Sequence, residues 1–314
     1  SAGRDRPTTK REQRAASIEA LLTKALTLFI TQGYHATTVE EIAQSADLTK
    51  GAVYFYFKSK ANVLKALLDR TVIVFRDQDI TPDQQVAFAR RFGEPQPSSV
   101  SGFEKSKENP EIDILEYDSD NPPHVTRDLW HTDFVGTERP TMGTVLYAKD
   151  IPPQGGDTVW VNMVAAYEAL SDRMRAHVDG LWAYHDSYQP YSEFVRPEMY
   201  DAEKGTDYLR DKRAAYVPAL HPVVRKHPVT GKKGLFVNES MTAFIKDMDR
   251  RESDFLLRYL FDYLRTPEFN YRHKWQTNDL AVWDNRLSLH YALFDYTEHR
   301  LMHRIVIQGD VPHE

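Results

Sequence analysis

The stretch Leu67-Leu68-Asp69-Arg70-Thr71-Val72-Ile73-Val74-Phe75-Arg76-Asp77-Gln78 separates two kinds of pattern. Before Arg70 the apolar residues recur at helical spacing. At Val72–Phe75 a β-branched run reads as a short strand, and beyond it strands dominate. Two domains are therefore expected, residues 1–70 and residues 71–314.

Toward the N-terminus, Ile18, Leu21, Leu22, Ala25, Leu26, Phe29 and Ile30 give an amphipathic helix over Ser17–Ile30, ended by Gly33. Thr37-Thr38-Val39-Glu40-Glu41 carries a hydroxyl followed three residues later by a carboxylate, the signature of a capping box, and a short helix from Val39 to Ala46 should follow. Leu48-Thr49-Lys50-Gly51 makes a turn into a third helix running toward Phe57. Ser59 should cap a fourth, Lys60 to Asp69. This part is a small all-α unit.

Toward the C-terminus, Thr81-Pro82-Asp83 starts a helix running to Phe92-Gly93. Strands are expected at Ile112–Leu115, Gly143–Ala148, Thr158–Val161, Gly234–Val237, Asp279–Trp283 and Met302–Gln308. Helices are expected near Ala165–Gly180 and Arg251–Leu264. Many short strands with a few flanking helices predict a mainly β, double-sheet jelly roll.

Composition narrows the chemistry. With no Cys and 12 His, a transition metal must be held by imidazole and carboxylate, and thiol chemistry is excluded. Residues 1–70 hold 11 Lys/Arg against 7 Asp/Glu; the remainder holds 29 against 39. A basic head thus precedes an acidic body. No apolar run has the length of a membrane span and no secretory pattern opens the chain, so a cytoplasmic protein with no membrane partner is expected.

Trp130-His131-Thr132-Asp133 places an imidazole and a carboxylate two residues apart. In extended chain such residues share a face and can grip one ion. His290, in Trp283-Asp284-Asn285-Arg286-…-His290-Tyr291-Ala292, is the candidate third ligand. Two imidazoles and one carboxylate leave three octahedral positions open, which suits Fe(II) activating O2. A zinc hydrolase can use the same ligands but needs a positioned general base, and the sequence offers none at a defined spacing.

Residues from about Thr71 to Pro312 resemble the taurine dioxygenase (TauD/TfdA) family of Fe(II)/2-oxoglutarate oxygenases. The resemblance is carried by Val74-Phe75-Arg76-Asp77-Gln78, Arg91-Phe92-Gly93-Glu94, Trp130–Asp133, Gly155-Gly156-Asp157-Thr158-Val159-Trp160 and Ala166–Ser171. It continues through His221-Pro222-Val223-Val224-Arg225, Gly234–Glu239, Trp283–Arg286 and Met302-His303-Arg304. It implies a double-stranded β-helix with His131, Asp133 and His290 as the iron-binding triad and 2-oxoglutarate and O2 as co-substrates. A small anionic substrate would be hydroxylated with release of succinate and CO2. Because Asp133 is retained, halogenation is disfavoured.

The same resemblance assigns the far carboxylate of 2-oxoglutarate to Arg300 and the Thr158 hydroxyl. Arg suits this task because its planar fork bonds both carboxylate oxygens. Arg304 is the candidate for a sulfonate, sulfate ester or carboxylate on the substrate. Arg127 and Tyr191 stand at further substrate positions, where they differ from the residues that hold taurine. Gly93–Ser99 also lacks the expected His, so taurine itself is disfavoured. Tyr188, Tyr191, Phe194 and Phe236 suggest an aromatic pocket.

Residues from roughly Lys10 to Arg70 resemble the DNA-binding head of TetR-type repressors, through Phe29-…-Gly33-Tyr34-…-Thr37–Ala43 and Leu48–Lys60. That resemblance implies a helix-turn-helix with Lys50, Tyr54 and Lys58 facing DNA. The competing reading of the whole chain is a DNA-binding regulator whose oxygenase-like body senses 2-oxoglutarate, iron or O2. A homo-oligomer is the expected assembly.

Overall fold

Local capping chemistry sets the helices of the first unit. The computed structural model describes residues 10–31, 37–56, 71–96, 104–120, 130–186 and 218–314. It divides the chain into Ser1–Arg70 and Thr71–Glu314. In the first unit, α1 (Lys10–Thr31) extends beyond the expected Ser17–Ile30 at its N-terminal end. At the start of α2 (Val39–Ser45) the Glu41 N–H donates to Thr38 Oγ1 at 3.2 Å, and the Thr38 N–H donates to Glu41 Oε2 at 2.7 Å. This reciprocal pair satisfies two of the helix's orphan donors. Asp47, at φ 54°, turns the chain toward α3 (Lys50–Tyr56); Asp is among the few side chains that enter this region readily. Leu21, Leu22, Ala25, Val39, Ile42, Ala43 and Val53 are buried. Gly33, Ser59 and the expected helix Lys60–Asp69 lie outside the described residues.

The second unit is built on antiparallel sheets. Its elements are β1 (Val72–Phe75), α4 (Pro82–Ala89), β2 (Pro95–Gln96), β3 (Glu104–Lys105), β4 (Asp113–Tyr117), β5 (Gly143–Asp150) and β6 (Thr158–Asn162). There follow α5 (Met163–Ala169), α6 (Asp172–Val178), β7 (Trp182–His185), β8 (Ala219–Pro222), β9 (Val224–Lys226), β10 (Lys233–Leu235) and β11 (Thr242–Ile245). The last are α7 (Arg250–Leu264), β12 (Asn270–His273), β13 (Leu280–Asp284), β14 (Ser288–Ala292) and β15 (Arg300–Ile307). The larger sheet runs β1-β13-β5-β15-β4-β3, with β2 paired to β15, and a smaller sheet runs β12-β6-β14. Leu146, Ala148, Trp160, Trp275, Ala281, Trp283 and Met302 form one core cluster, joining residues of both sheets. A second cluster takes Val161 and Leu289 with Met163, Ala166, Leu256, Leu257 and Leu260, so α5 and α7 cover the other side of the smaller sheet. Burial of these large apolar side chains is the main stabilising term.

Two expectations need correction. The single helix near Ala165–Gly180 is two helices. Leu170 takes extended backbone (φ −61°, ψ 148°), and Ser171 Oγ then accepts from the Met174 N–H at 3.3 Å to cap α6. The Pro82 helix ends at Ala89 rather than Phe92, although its start is as expected, with Thr81 capping and Pro82 in the first turn. No described helix is long and apolar enough to cross a membrane.

Candidate metal centre

An antiparallel bridge brings the two histidines together. The His131 N–H donates to the His290 carbonyl at 3.1 Å, and the His290 N–H donates to the His131 carbonyl at 2.8 Å. Directly opposed residues of such a pair project to one face, and the imidazole centroids stand 4.2 Å apart. Asp133, two residues on, completes the group: one ligand atom from each of His131, Asp133 and His290 lies within 4.8 Å of the others. Among the described residues this is the sole cluster of its kind. Asp133 Oδ1 is 3.7 Å from His290 Nε2 and 3.9 Å from His131 Nε2. Adjacent ligands on an octahedral ion with bonds near 2.1 Å are about 3.0 Å apart, so closing on an ion needs movements of under about 1 Å.

The other oxygen of Asp133 is already held. Oδ2 accepts from Thr144 Oγ1 at 2.6 Å and from Asn285 Nδ2 at 3.1 Å. Thr144 sits on β5 opposite Trp283 of β13. The Trp283 indole N–H donates to Asn285 Oδ1 at 2.8 Å and its ring lies 4.9 Å from that of His290. The segment carrying Asp133 is pinned as well: Thr141 Oγ1 donates to the Asp133 carbonyl and Thr132 Oγ1 to the Ser288 carbonyl. Burial alone would raise the Asp133 carboxyl, but His290, Arg304, His131 and the Thr144 bond together hold it well below the usual range. Burial, aided by His131, lowers His290 to about 3, so its imidazole is neutral and able to bind a metal at neutral pH. A charged carboxylate, the neutral imidazole of His290 and the adjacent His131 ring, with one carboxylate oxygen anchored and the other turned inward, fit Fe(II).

The slot assigned to the keto acid is built by β15 and the glycine turn before β6. Arg300, Met302 and Arg304 alternate along β15 and share a face, and Met302 belongs to the tryptophan cluster. Arg300 is buried; its Nη2 donates to the Gly156 carbonyl at 3.3 Å and its guanidinium lies 5.7 Å from the Tyr296 ring centroid. Gly156 is required here. Its φ is +69°, and a Cβ would come within 3.3 Å of Arg300 and Tyr296. Thr158 Oγ1 accepts from the Trp275 indole N–H at 2.9 Å, so the hydroxyl's own proton is directed elsewhere, as a carboxylate donor must be.

Arg304 lies deeper than a surface substrate clamp. Its Nε and Nη2 donate to Asp113 Oδ2 at 3.2 and 2.9 Å, while Nη1 stands 4.0 Å from Asp133 Oδ1. Lys105 holds the other Asp113 oxygen. Phe236 is buried, with the Arg225 guanidinium and the His185 and His221 rings beside it. Arg127, Tyr188, Tyr191 and Phe194 lie outside the described residues. In the first unit Lys50 is half exposed and ion-paired with Glu40, and Tyr54 is exposed; Lys58 lies outside the described residues. Sequence reading missed Thr141, Thr144, Tyr296, Trp275 and Asp113, and quoted Asn285 without a role. Only Asn285 carried a signal, being five residues before a candidate ligand.

The chain matches the family described as "Taurine catabolism dioxygenase TauD, TfdA family" over residues 38–306. It is 32% identical over 251 residues to an alpha-ketoglutarate-dependent sulfate ester dioxygenase of Pseudomonas putida, covering 79% of this chain and 80% of that protein. It is 34% identical over 250 residues to an (S)-phenoxypropionate/alpha-ketoglutarate-dioxygenase of Sphingobium herbicidovorans, covering 78% and 84%. Among solved structures, a taurine dioxygenase from Burkholderia xenovorans superposes with a TM-score of 0.64 at 35% identity, over 79% of this chain and 80% of that one. AAD-2 in complex with Mn(II) and N-oxalylglycine superposes with a TM-score of 0.62 at 31% identity, over 81% and 88%.

Proposed function

The chain belongs to the taurine catabolism dioxygenase (TauD, TfdA) family, and on that premise we propose that His131, Asp133 and His290 hold the Fe(II) of a 2-oxoglutarate-dependent dioxygenase acting on a sulfonate, sulfate ester or aryloxy carboxylate. The family's enzymes use Fe(II), 2-oxoglutarate and O2. An iron held there would, with 2-oxoglutarate and O2, supply an oxidative decarboxylation that gives succinate and CO2 and places one oxygen atom in a substrate C–H bond. The residues of this chain orient the reactants. His131, Asp133 and His290 would hold the ion. Arg300, with the Thr158 proton, receives the far carboxylate of 2-oxoglutarate. Arg304, fixed by Asp113, would face an anionic group of the substrate beside the ion. Arg127 and Tyr191 complete the proposed substrate contacts.

The observation that carries this reading is the convergence of three ligand atoms within 4.8 Å beside a buried guanidinium. The test is succinate release by Fe(II)-loaded protein against a panel of alkyl sulfates, alkylsulfonates and aryloxyalkanoates. At least one class should raise succinate formation well above the substrate-free rate, and His290→Ala should abolish the increase. Arg300→Ala should raise the KM for 2-oxoglutarate about 10- to 150-fold, the loss of about 1.5–3 kcal/mol from one charged hydrogen-bonded contact. A panel in which no class stimulates succinate release counts against the substrate assignment; an unchanged KM counts against Arg300.

A second reading concerns the separate domain proposed for residues 1–70. A capped α2, a tight turn and a following α3 that presents Lys50 and Tyr54 outward support a TetR-type helix-turn-helix. Phosphate-contacting Lys50 and Lys58 would make DNA binding weaken steeply with salt. Fluorescence anisotropy with random and selected duplexes tests this, and equal, salt-insensitive signals would remove it. The sensor alternative draws no support from the relatives, which are described as dioxygenases.

A further inference from the structure

The hydrogen bonds behind Asp133 have fixed directions. Asn285 Oδ1 accepts the Trp283 indole proton, which can only be donated. That fixes the amide, so Nδ2 must face Asp133 Oδ2, Thr141 Oγ1 and Thr144 Oγ1, at 3.1, 2.9 and 3.0 Å. Its two protons are shared among these three oxygens, and because the ionised Asp133 has no proton to give, the Thr144 hydroxyl donates to Oδ2 at 2.6 Å. Each link directs a proton toward one carboxylate oxygen. Among the described residues, the His290, His131 and Arg304 nitrogens stand 3.7, 3.9 and 4.0 Å from the other oxygen, beyond hydrogen-bond reach.

We infer that Asn285 and Thr144 are positioning residues that hold Asp133 to ligation through Oδ1 alone. They act through Oδ2, which is kept from turning toward the ion, and so preserve open positions for the keto acid and O2. Neither residue touches the ion itself. The inference rests on the assignment of His131, Asp133 and His290 as the metal site. Its energetic scale is that of partners that orient a ligand from behind, whose loss weakens metal binding about 10- to 100-fold.

Mn(II) binding to metal-free protein, read from the electron paramagnetic resonance signal of free Mn(II), tests it without turnover. Thr144→Val keeps the side-chain shape and removes the proton. Its dissociation constant should rise about 10- to 100-fold, while the melting temperature of the metal-free protein stays near that of the parent. Thr144→Ser restores the hydroxyl and should bind within about threefold of the parent. Asn285→Ala should follow Thr144→Val; where it fails to fold, the two Thr144 variants carry the test. A Thr144→Val protein that binds Mn(II) like the parent overturns the inference, as does a Thr144→Ser protein as weak as Thr144→Val. His290→Ala separates this from failure of the site assignment. If it retains parental affinity, the metal lies elsewhere and both ideas fall. If it loses binding while Thr144→Val keeps it, only the positioning role falls.

Discussion

Asp133 and Asp284 are both buried carboxylates at the edge of the same β sandwich, and both are held well below the usual carboxylate range. Their surroundings differ in one respect. Asp284 is saturated: Oδ1 accepts from the Arg286 backbone N–H and Nε, while Oδ2 accepts from Arg286 Nη2 and faces His227 Nε2 at 2.9 Å. Burial would raise its carboxyl, but the Arg286 bonds and charge, then His227, lower it. Among the described residues, Asp133 has neutral donors on one oxygen and more distant nitrogens before the other. A buried carboxylate with a guanidinium of its own is structural; one bound from a single side is set for a cation that arrives later.

The same substitution at both positions should give opposite results. Asp133→Asn keeps an acceptor for Thr144 and Asn285 but turns an amide toward the ion. It should abolish Mn(II) binding and succinate release. Asp284→Asn leaves Arg286 buried without its counter-charge. It should cost about 3–5 kcal/mol in denaturant unfolding while leaving Mn(II) affinity within about twofold of the parent. A destabilised Asp133→Asn protein that still binds metal would reverse the comparison.

The pH dependence of metal-free stability sharpens it further. His221 is lowered to about 4, chiefly by burial, although its Nε2 faces the Val135 and Thr137 carbonyls at 3.0 and 2.9 Å. The unfolded chain binds this proton near pH 6.5, so stability present above that pH falls as pH drops toward 4, by up to about 3 kcal/mol. His221→Gln should remove one share of this limb, the other shares coming from His185 and His290, which burial also depresses. Below about pH 4 the two depressed carboxylates take over. Each gives stability that is complete above its unfolded value and lost on acidification, at about 1.4 kcal/mol per pH unit, and Asp284→Asn should remove one share of that slope.

What could be read from the chain follows the reach of each interaction. The ends of β1 and the capping boxes at Thr38 and Thr81 depend on residues within four positions, and they stand where the pattern puts them. The break at Leu170-Ser171 was also locally encoded, by a Ser able to cap, but continuous apolar spacing hid it. The triad's residues were legible through motif spacing and family likeness. The groups behind them were not. Thr144 and Asn285 reach Asp133 only after β5 and β13 pair, and Asp113 reaches Arg304 only through the β4–β15 register. No local pattern distinguishes these from ordinary strand polar residues.

The backbone bridge between His131 and His290 has a consequence for assembly. A slip of β14 by one residue against β6 would reverse every side chain on the strand and send His290 away from Asp133. Such a misfold would also turn Leu289 out of its apolar cluster, and it would lack the proposed set of three ligands. Because ligand free energy is added only to the state that binds, iron supply would act during maturation as a proofreading step for strand register, favouring the one alignment that can later do chemistry.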